Sequence, residues 1–271
     1  MENRQNVSGP GEPDVIIVQR KGPAAWLTLN RPKSYNALTP ELMRRLADEL
    51  ERLRDDASVR VLVITGAGRA FCSGVDLSAL GKNVSMAEAT ASFAAVAEPA
   101  TDLLRSFPKP VIAAVNGAVF AGGLEILMLC DLVVSSRDAK FGDGHANFGL
   151  IPGGGSTARL PRRVGVALAK YMIFTGAQVD AATLREAGLI NQVVAPEALE
   201  DAVNSLVAQL ADKSPLALAR CKRLIDTGLH VSEAEAMRTE AATALEHCNS
   251  FDAREGLAAF AAKRKPAFVG K

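Results

Sequence analysis

Short apolar runs alternate with amphipathic stretches along the first two thirds of the chain. Residues 14–18 (DVIIV), 25–29 (AWLTL), 60–65 (RVLVIT), 110–115 (PVIAAV), 131–136 (DLVVSS) and 189–194 (LINQVV) are brief and mostly rich in β-branched residues, which predicts buried strands. Between the second and third run, Leu42, Leu46, Leu50 and Leu53 recur at three- and four-residue spacing behind Thr39 and Pro40. That pattern predicts a helix capped by Thr39 and opened by Pro40, with the leucine stripe in the core. Beyond Pro196 the strand signals stop, and helical patterns follow in 197–212, 215–227, 232–248 and 252–264. The expected organisation is α/β. A lead-in over 1–13, polar and marked by Gly9, Pro10, Gly11 and Pro13, precedes a layered core over 14–195 and an all-helical region over 196–271. No Ser/Gly linker separates core from tail, so the helices are expected to pack on the body or on a neighbouring subunit.

Composition narrows the function classes. Of 271 residues 48% are apolar, enough for a substantial core, and 31 Lys and Arg balance 30 Asp and Glu. No global field favours nucleic acid or an anionic membrane, and any anionic ligand must meet a local patch. The lead-in is expected to be disordered and lacks the apolar stretch of a secretory signal. Cys72, Cys130, Cys221 and Cys248 show neither metal-type spacing nor disulfide density, so no metal is expected and a cytoplasmic setting is the simpler one. Residues 111–134 approach the apolarity of a membrane span, but Asn116, Glu125, Asp131 and glycines interrupt them, which favours buried soluble core.

The candidate chemistry sits at glycine turns. Residues 61–77 (VLVITGAGRAFCSGVDL) and 111–127 (VIAAVNGAVFAGGLEIL) share an order of features: apolar strand, Gly-Ala, Phe, small residues, glycine and an acid. Each ends a buried strand in a turn where glycine lets the backbone approach a ligand. Two such turns from neighbouring layers can aim one N–H each at the same point, forming an oxyanion hole. The alternative is glycine needed only for tight packing. The second turn opens a short apolar helix holding Glu125, which is either a buried cap or ion-pair member, or a base or acid beside a bound carbonyl. His145 lies in a glycine-rich stretch after a strand signal, a setting suited to proton transfer. His230 and His247 on the tail are expected to be structural.

These residues resemble the crotonase, or enoyl-CoA hydratase/isomerase, superfamily. The similarity runs through 30–38 (NRPKSYNAL), 70–77 (AFCSGVDL), 109–134, 149–165 (GLIPGGGSTARLPRRVG), 187–194 and 251–268, in the family's order. The resemblance implies a spiral of ββα units with a C-terminal helical trimerisation region, assembled as a homo-trimer or a hexamer (dimer of trimers). It implies an acyl-CoA thioester as substrate, with coenzyme A entering as part of that substrate and no separate cofactor. Carried over, the oxyanion-hole amides fall on Val75 and Gly122. The CoA lining falls near Ser73, Asp76 and Leu77, mostly through backbone, while Phe260 and Lys263 match positions that reach a neighbour's CoA. Glu125 matches the first of the two catalytic glutamates of hydratases. The position of the second, counted from Glu125 and checked against Gly149 and Pro152, holds His145.

That departure governs the choice of reaction. Hydration needs water activated at the β-carbon and a proton delivered at the α-carbon of an enolate, which Glu125 as base and protonated His145 as acid can share. The family's isomerases tend to keep the second carboxylate and lose the first, the opposite of what is found here. An enoyl-CoA hydratase, as in fatty acid metabolism, is therefore expected ahead of an isomerase, an acyl-CoA hydrolase or decarboxylase using His145, or a non-catalytic acyl-CoA binder. Acyl-chain preference is expected to depend on the alanine-rich segment between Leu77 and Pro108.

Overall fold

In a computed structural model of the chain, which describes residues 14–79 and 85–271, all six apolar runs form strands of one sheet. The expectation for the lead-in over 1–13 lies outside the described residues. The strands are β1 (Ile16–Lys21), β2 (Ala24–Leu29), β3 (Val61–Gly66), β5 (Val111–Val115), β7 (Leu132–Ser136) and β10 (Gln192–Val194), side by side in that order. All neighbours run parallel except the β1–β2 hairpin. Both faces are covered. In β3, Leu62 and Ile64 join the main core, while Val61 and Val63 point to the opposite face. A two-sided strand has no polar edge to its pattern, which explains the unbroken apolar runs.

A second, four-stranded sheet was not legible beforehand. It consists of β4 (Ala70–Cys72), β6 (Ala118–Phe120), β8 (Lys140–Gly142) and β9 (Val179–Asp180), in that order. Strands of two or three residues carry no measurable period. Their placement makes the spiral: β3 leads into β4, β5 into β6 and β7 into β8, and each pair stacks on the previous one in both sheets. The weak echo between 61–77 and 111–127 is thus a repeat in space, and residues 132–145 are its third copy.

Helices close the layers. α1 (Pro40–Asp55) starts as expected, with Thr39 accepting the Leu42 N–H at 3.2 Å and the leucine stripe buried. It packs on α2 (Met86–Arg105), which opens with a Ser85/Glu88 capping box and carries Pro99 internally. The short α3 (Gly122–Leu127) follows β6, and α4 (Ser156–Val164), α5 (Val166–Thr175) and α6 (Ala181–Glu186) lie between β8 and β10. α7 (Leu199–Ala211) covers the other face of the large sheet, setting Leu199, Val203 and Val207 against Trp26, Val61, Val63 and Ile112. α8 (Pro215–Gly228) is tied to the body by Lys222 and Asp131 at 2.8 Å. α9 (Glu233–His247) and α10 (Phe251–Ala261) leave Met237, Leu245, Leu257 and Phe260 exposed. Among the described residues, no helix is long and apolar enough to cross a membrane.

Candidate active site

The three repeats end in three turns, after β4, β6 and β8, and residues of all three line one cavity of about 1980 Å³. The first turn is aimed by its neighbour. Buried Asn36 accepts the Arg31 N–H at 2.9 Å and donates to the carbonyls of Ala67 and Ala70, fixing the loop that presents Leu38. Leu38 donates its N–H to Gly74 O at 2.7 Å and accepts the Asp76 N–H at 2.9 Å. In a parallel bridge of this kind the residue between those two partners, Val75, turns its own N–H away from Leu38.

Gly122 lies on that other side. A Cβ built on it would stand 3.5 Å from Val75 N, and one built on Gly74 would stand 3.0 Å from Gly122 N. Gly122 opens α3, so its amide has no intrahelical acceptor. Among the described residues neither amide donates to a protein acceptor. The turn before it is strained: Ala121 holds φ 46 and ψ −120, a conformation L-residues rarely adopt. Gly74, at φ 96, has Ala121 Cβ only 2.9 Å from where its own Cβ would be. Gly74→Ala is therefore expected to push the turns apart and lower kcat by about 10²-fold, the scale of a lost oxyanion donor, with unfolding temperature measured alongside to exclude global loss of fold.

Glu125 sits one turn into α3 and is buried, at 8% exposure. Its Oε1 accepts the N–H groups of Gly154 at 2.7 Å and Ser156 at 3.1 Å, so it caps the start of α4, while Oε2 has no protein partner among the described residues. Glycine at 154 leaves room for this carboxylate: a Cβ there would lie 2.5 Å from Oε2 and force the Glu125 side chain to shift. Burial raises the Glu125 carboxyl above the ordinary carboxylate range. The Ser156 and Gly154 amides and the charge of His145 oppose that rise, and Asp143 adds to it.

His145 begins a short 3₁₀ turn, His145–Phe148, and lines the cavity. Its Nδ1 is 2.8 Å from Oδ1 of Asp143, which is fully buried. The bond to Asp143 raises the imidazole above its ordinary value of 6.5; burial opposes this, and the charges of Asp143 and Glu125 reinforce it. Burial pushes the Asp143 carboxyl upward, but the His145 bond and the nearby Ser156 hydroxyl together leave it lowered. Ser156 Oγ and Asp143 Oδ2 themselves lack bonding geometry to any partner.

Of the other expected contacts, Ser73 and Leu77 line the cavity. Asp76 does not; its carboxylate is held by Arg31 at 2.9 Å and Ser78 at 2.6 Å, so it braces the turn. Phe260 and Lys263 stand at the exposed end of the chain, away from the cavity of their own subunit. Asp143, Ser156 and Gly154 escaped the sequence reading. The pattern Asp-Gly-His at 143–145, an acid two residues before the histidine across a glycine, was the signal available. The cavity walls come from α2, through Phe93 and Ala97, and from α8, through Leu216 and Ala219.

The family described as enoyl-CoA hydratase/isomerase matches residues 20–271. The chain is 36% identical over 258 residues to a crotonyl-CoA hydratase of Syntrophomonas wolfei, covering 94% of this chain and 98% of that protein. It is 35% identical to the 2,3-dehydroadipyl-CoA hydratase of Escherichia coli, covering 94% and 99%. Among solved structures, an enoyl-CoA hydratase from Bacillus anthracis superimposes with a TM-score of 0.91 at 31% identity, covering 95% of this chain and all of that one.

Proposed function

The chain belongs to the enoyl-CoA hydratase/isomerase family, and from that premise we propose that it adds water across the double bond of a 2-enoyl-CoA thioester. The observation that carries the reading is the meeting, in one cavity, of two unpartnered amides with a buried glutamate that keeps one oxygen free. The thioester oxygen accepts from the N–H groups of Val75 and Gly122, which withdraws charge from the β-carbon. Water held by Glu125 Oε2 loses a proton to it and bonds to the β-carbon, and the electron pair moves to the thioester as an enolate. Protonated His145 then delivers its proton to the α-carbon, giving the 3-hydroxyacyl thioester. The proton gained by Glu125 returns to His145 through solvent, which closes the cycle. This sequence uses only proton transfer and charge stabilisation, so coenzyme A participates as the substrate's handle and no resident cofactor is required.

The retained first glutamate speaks against isomerisation. A panel of enoyl-, 3-hydroxyacyl- and malonyl-type CoA esters, read by mass, is expected to show gain of one water by the enoyl esters. Release of free CoA, loss of carbon dioxide, or an unchanged mass with a shifted double bond by NMR would each replace the hydration reading.

The same reading extends to assembly. The apolar side chains left exposed on α9 and α10 suit a homo-trimer or hexamer in which Phe260 and Lys263 approach a neighbour's CoA. The cytoplasm is the proposed location.

A further inference from the structure

We propose that Asp143 is a positioning residue of this site: its buried Oδ1, accepting the Nδ1 hydrogen of His145, holds the imidazole with Nε2 as the atom that exchanges the proton. The role in turnover rests on the hydration reading; the choice of tautomer does not.

The geometry begins with the turn after β8. Gly144 adopts φ 71 and ψ −10, the left-handed conformation that glycine enters without steric cost. With the chain bent there, side chains two residues apart meet, and the same Oδ1 lies 3.4 Å from the His145 backbone N–H. A carboxylate with no exposure needs a compensating partner. Among the described residues Asp143 has no Lys or Arg within ion-pair distance, and the imidazole is its one side-chain hydrogen bond. The pairing is therefore mutual: the anion is tolerated because His145 donates to it, and His145 is biased toward its charged form because the anion is there. With Nδ1 engaged, the neutral ring keeps Nε2 unprotonated, so the ring nitrogen that has no protein partner among the described residues is both the donor in the charged state and the acceptor in the neutral one. A glutamate at position 145 would need no such orientation. A histidine has two nitrogens, and only a partner on one assigns the work to the other.

The ionisable groups acting on His145 are Asp143 from its own turn and Glu125 from α3. Glu125 in turn acts on Arg159 of α4, opposing the burial and the charges of Arg105 and Arg163 that leave the guanidinium lowered. Lys170 and Tyr171 on α5, the helix packed on this turn, are exposed and are not among the groups that shift the imidazole.

The experiment is nitrogen-15 NMR of the histidine side chains in the full-length protein. Only three histidines are present, and His145→Gln assigns the signal. In the wild type the neutral ring is expected to carry its proton on Nδ1 and to titrate above the usual value. In Asp143→Asn the midpoint is expected to fall by about one pH unit. There kcat should drop about 10²-fold with KM changed less than about twofold, and the basic limb of the pH profile should move down with the midpoint. A wild-type ring protonated on Nε2 overturns the proposal whether or not the variant folds. So does an Asp143→Asn protein whose midpoint and basic limb stay where they were. If the wild type hydrates no enoyl thioester yet shows the Nδ1 tautomer and the midpoint shift, the positioning stands and the hydration reading falls.

Discussion

Glu125→Gln is expected to lower kcat for hydration of a 2-enoyl-CoA about 10³-fold while leaving KM and the unfolding temperature close to wild type. The amide keeps a carbonyl oxygen where Oε1 now accepts the Gly154 and Ser156 N–H groups, so the start of α4 stays capped. What is lost is the second oxygen, the one without a protein partner. The variant removes a buried negative charge as well, so no loss of stability is anticipated. Steady-state kinetics with a thermal melt on the same sample separates the two roles of this residue. Full turnover in the variant would remove Glu125 from the proton path. Unfolding with no native fraction would make it a cap and nothing more.

The second large effect concerns pH. In the proposed reaction Glu125 acts as an anion, and burial holds its carboxyl above the ordinary range, so kcat/KM should fall on the acid side at a pH higher than a free glutamate would set. In the same proposal His145 acts protonated, and its bond to Asp143 keeps it charged above the pH of about 6.5 at which a free imidazole titrates, so the basic limb should lie higher than that. Activity is thus expected to be greatest between the two, where one group has lost its proton and the other has kept it. His145→Gln is expected to lower the plateau by about 10² to 10³-fold and to abolish the basic limb, leaving a curve that rises through the Glu125 transition and then stays flat. A basic limb that persists in His145→Gln would assign that titration to another group.

Much of this was readable from the chain because burial on both faces writes itself into strands such as β3 and β5 as continuous apolar runs, and a one-faced helix such as α1 writes itself as a leucine stripe. The small sheet could not be read that way. Strands such as β6 and β9 are too short for a period, and their place is fixed by the long strands that precede them and not by their own residues. Missing them hid the third repeat. The turns at 73–75 and 121–122 were paired by their shared glycines, but residues 132–145 carry lysine and aspartate where the other copies carry glycine and alanine. Asp143 therefore carries no repeat signal of its own in the sequence, and only β8 sets it beside His145. The side chain of Asp76 was equally hidden: its expected part in the CoA lining was mostly through backbone, and its carboxylate is taken by Arg31, far off in sequence.

Every atom assigned a part in the reaction belongs to residues 75–156, on turns and helix starts fixed by the two sheets. The cavity walls come from α2, within that same stretch, and from α8, a helix contributed more than fifty residues later and fastened to the body near one ion pair. The share of the wall that α8 supplies is thereby encoded apart from the residues given parts in the proposed reaction. A substitution in α8 can therefore widen, narrow or recharge that wall without altering any residue given a part in proton transfer.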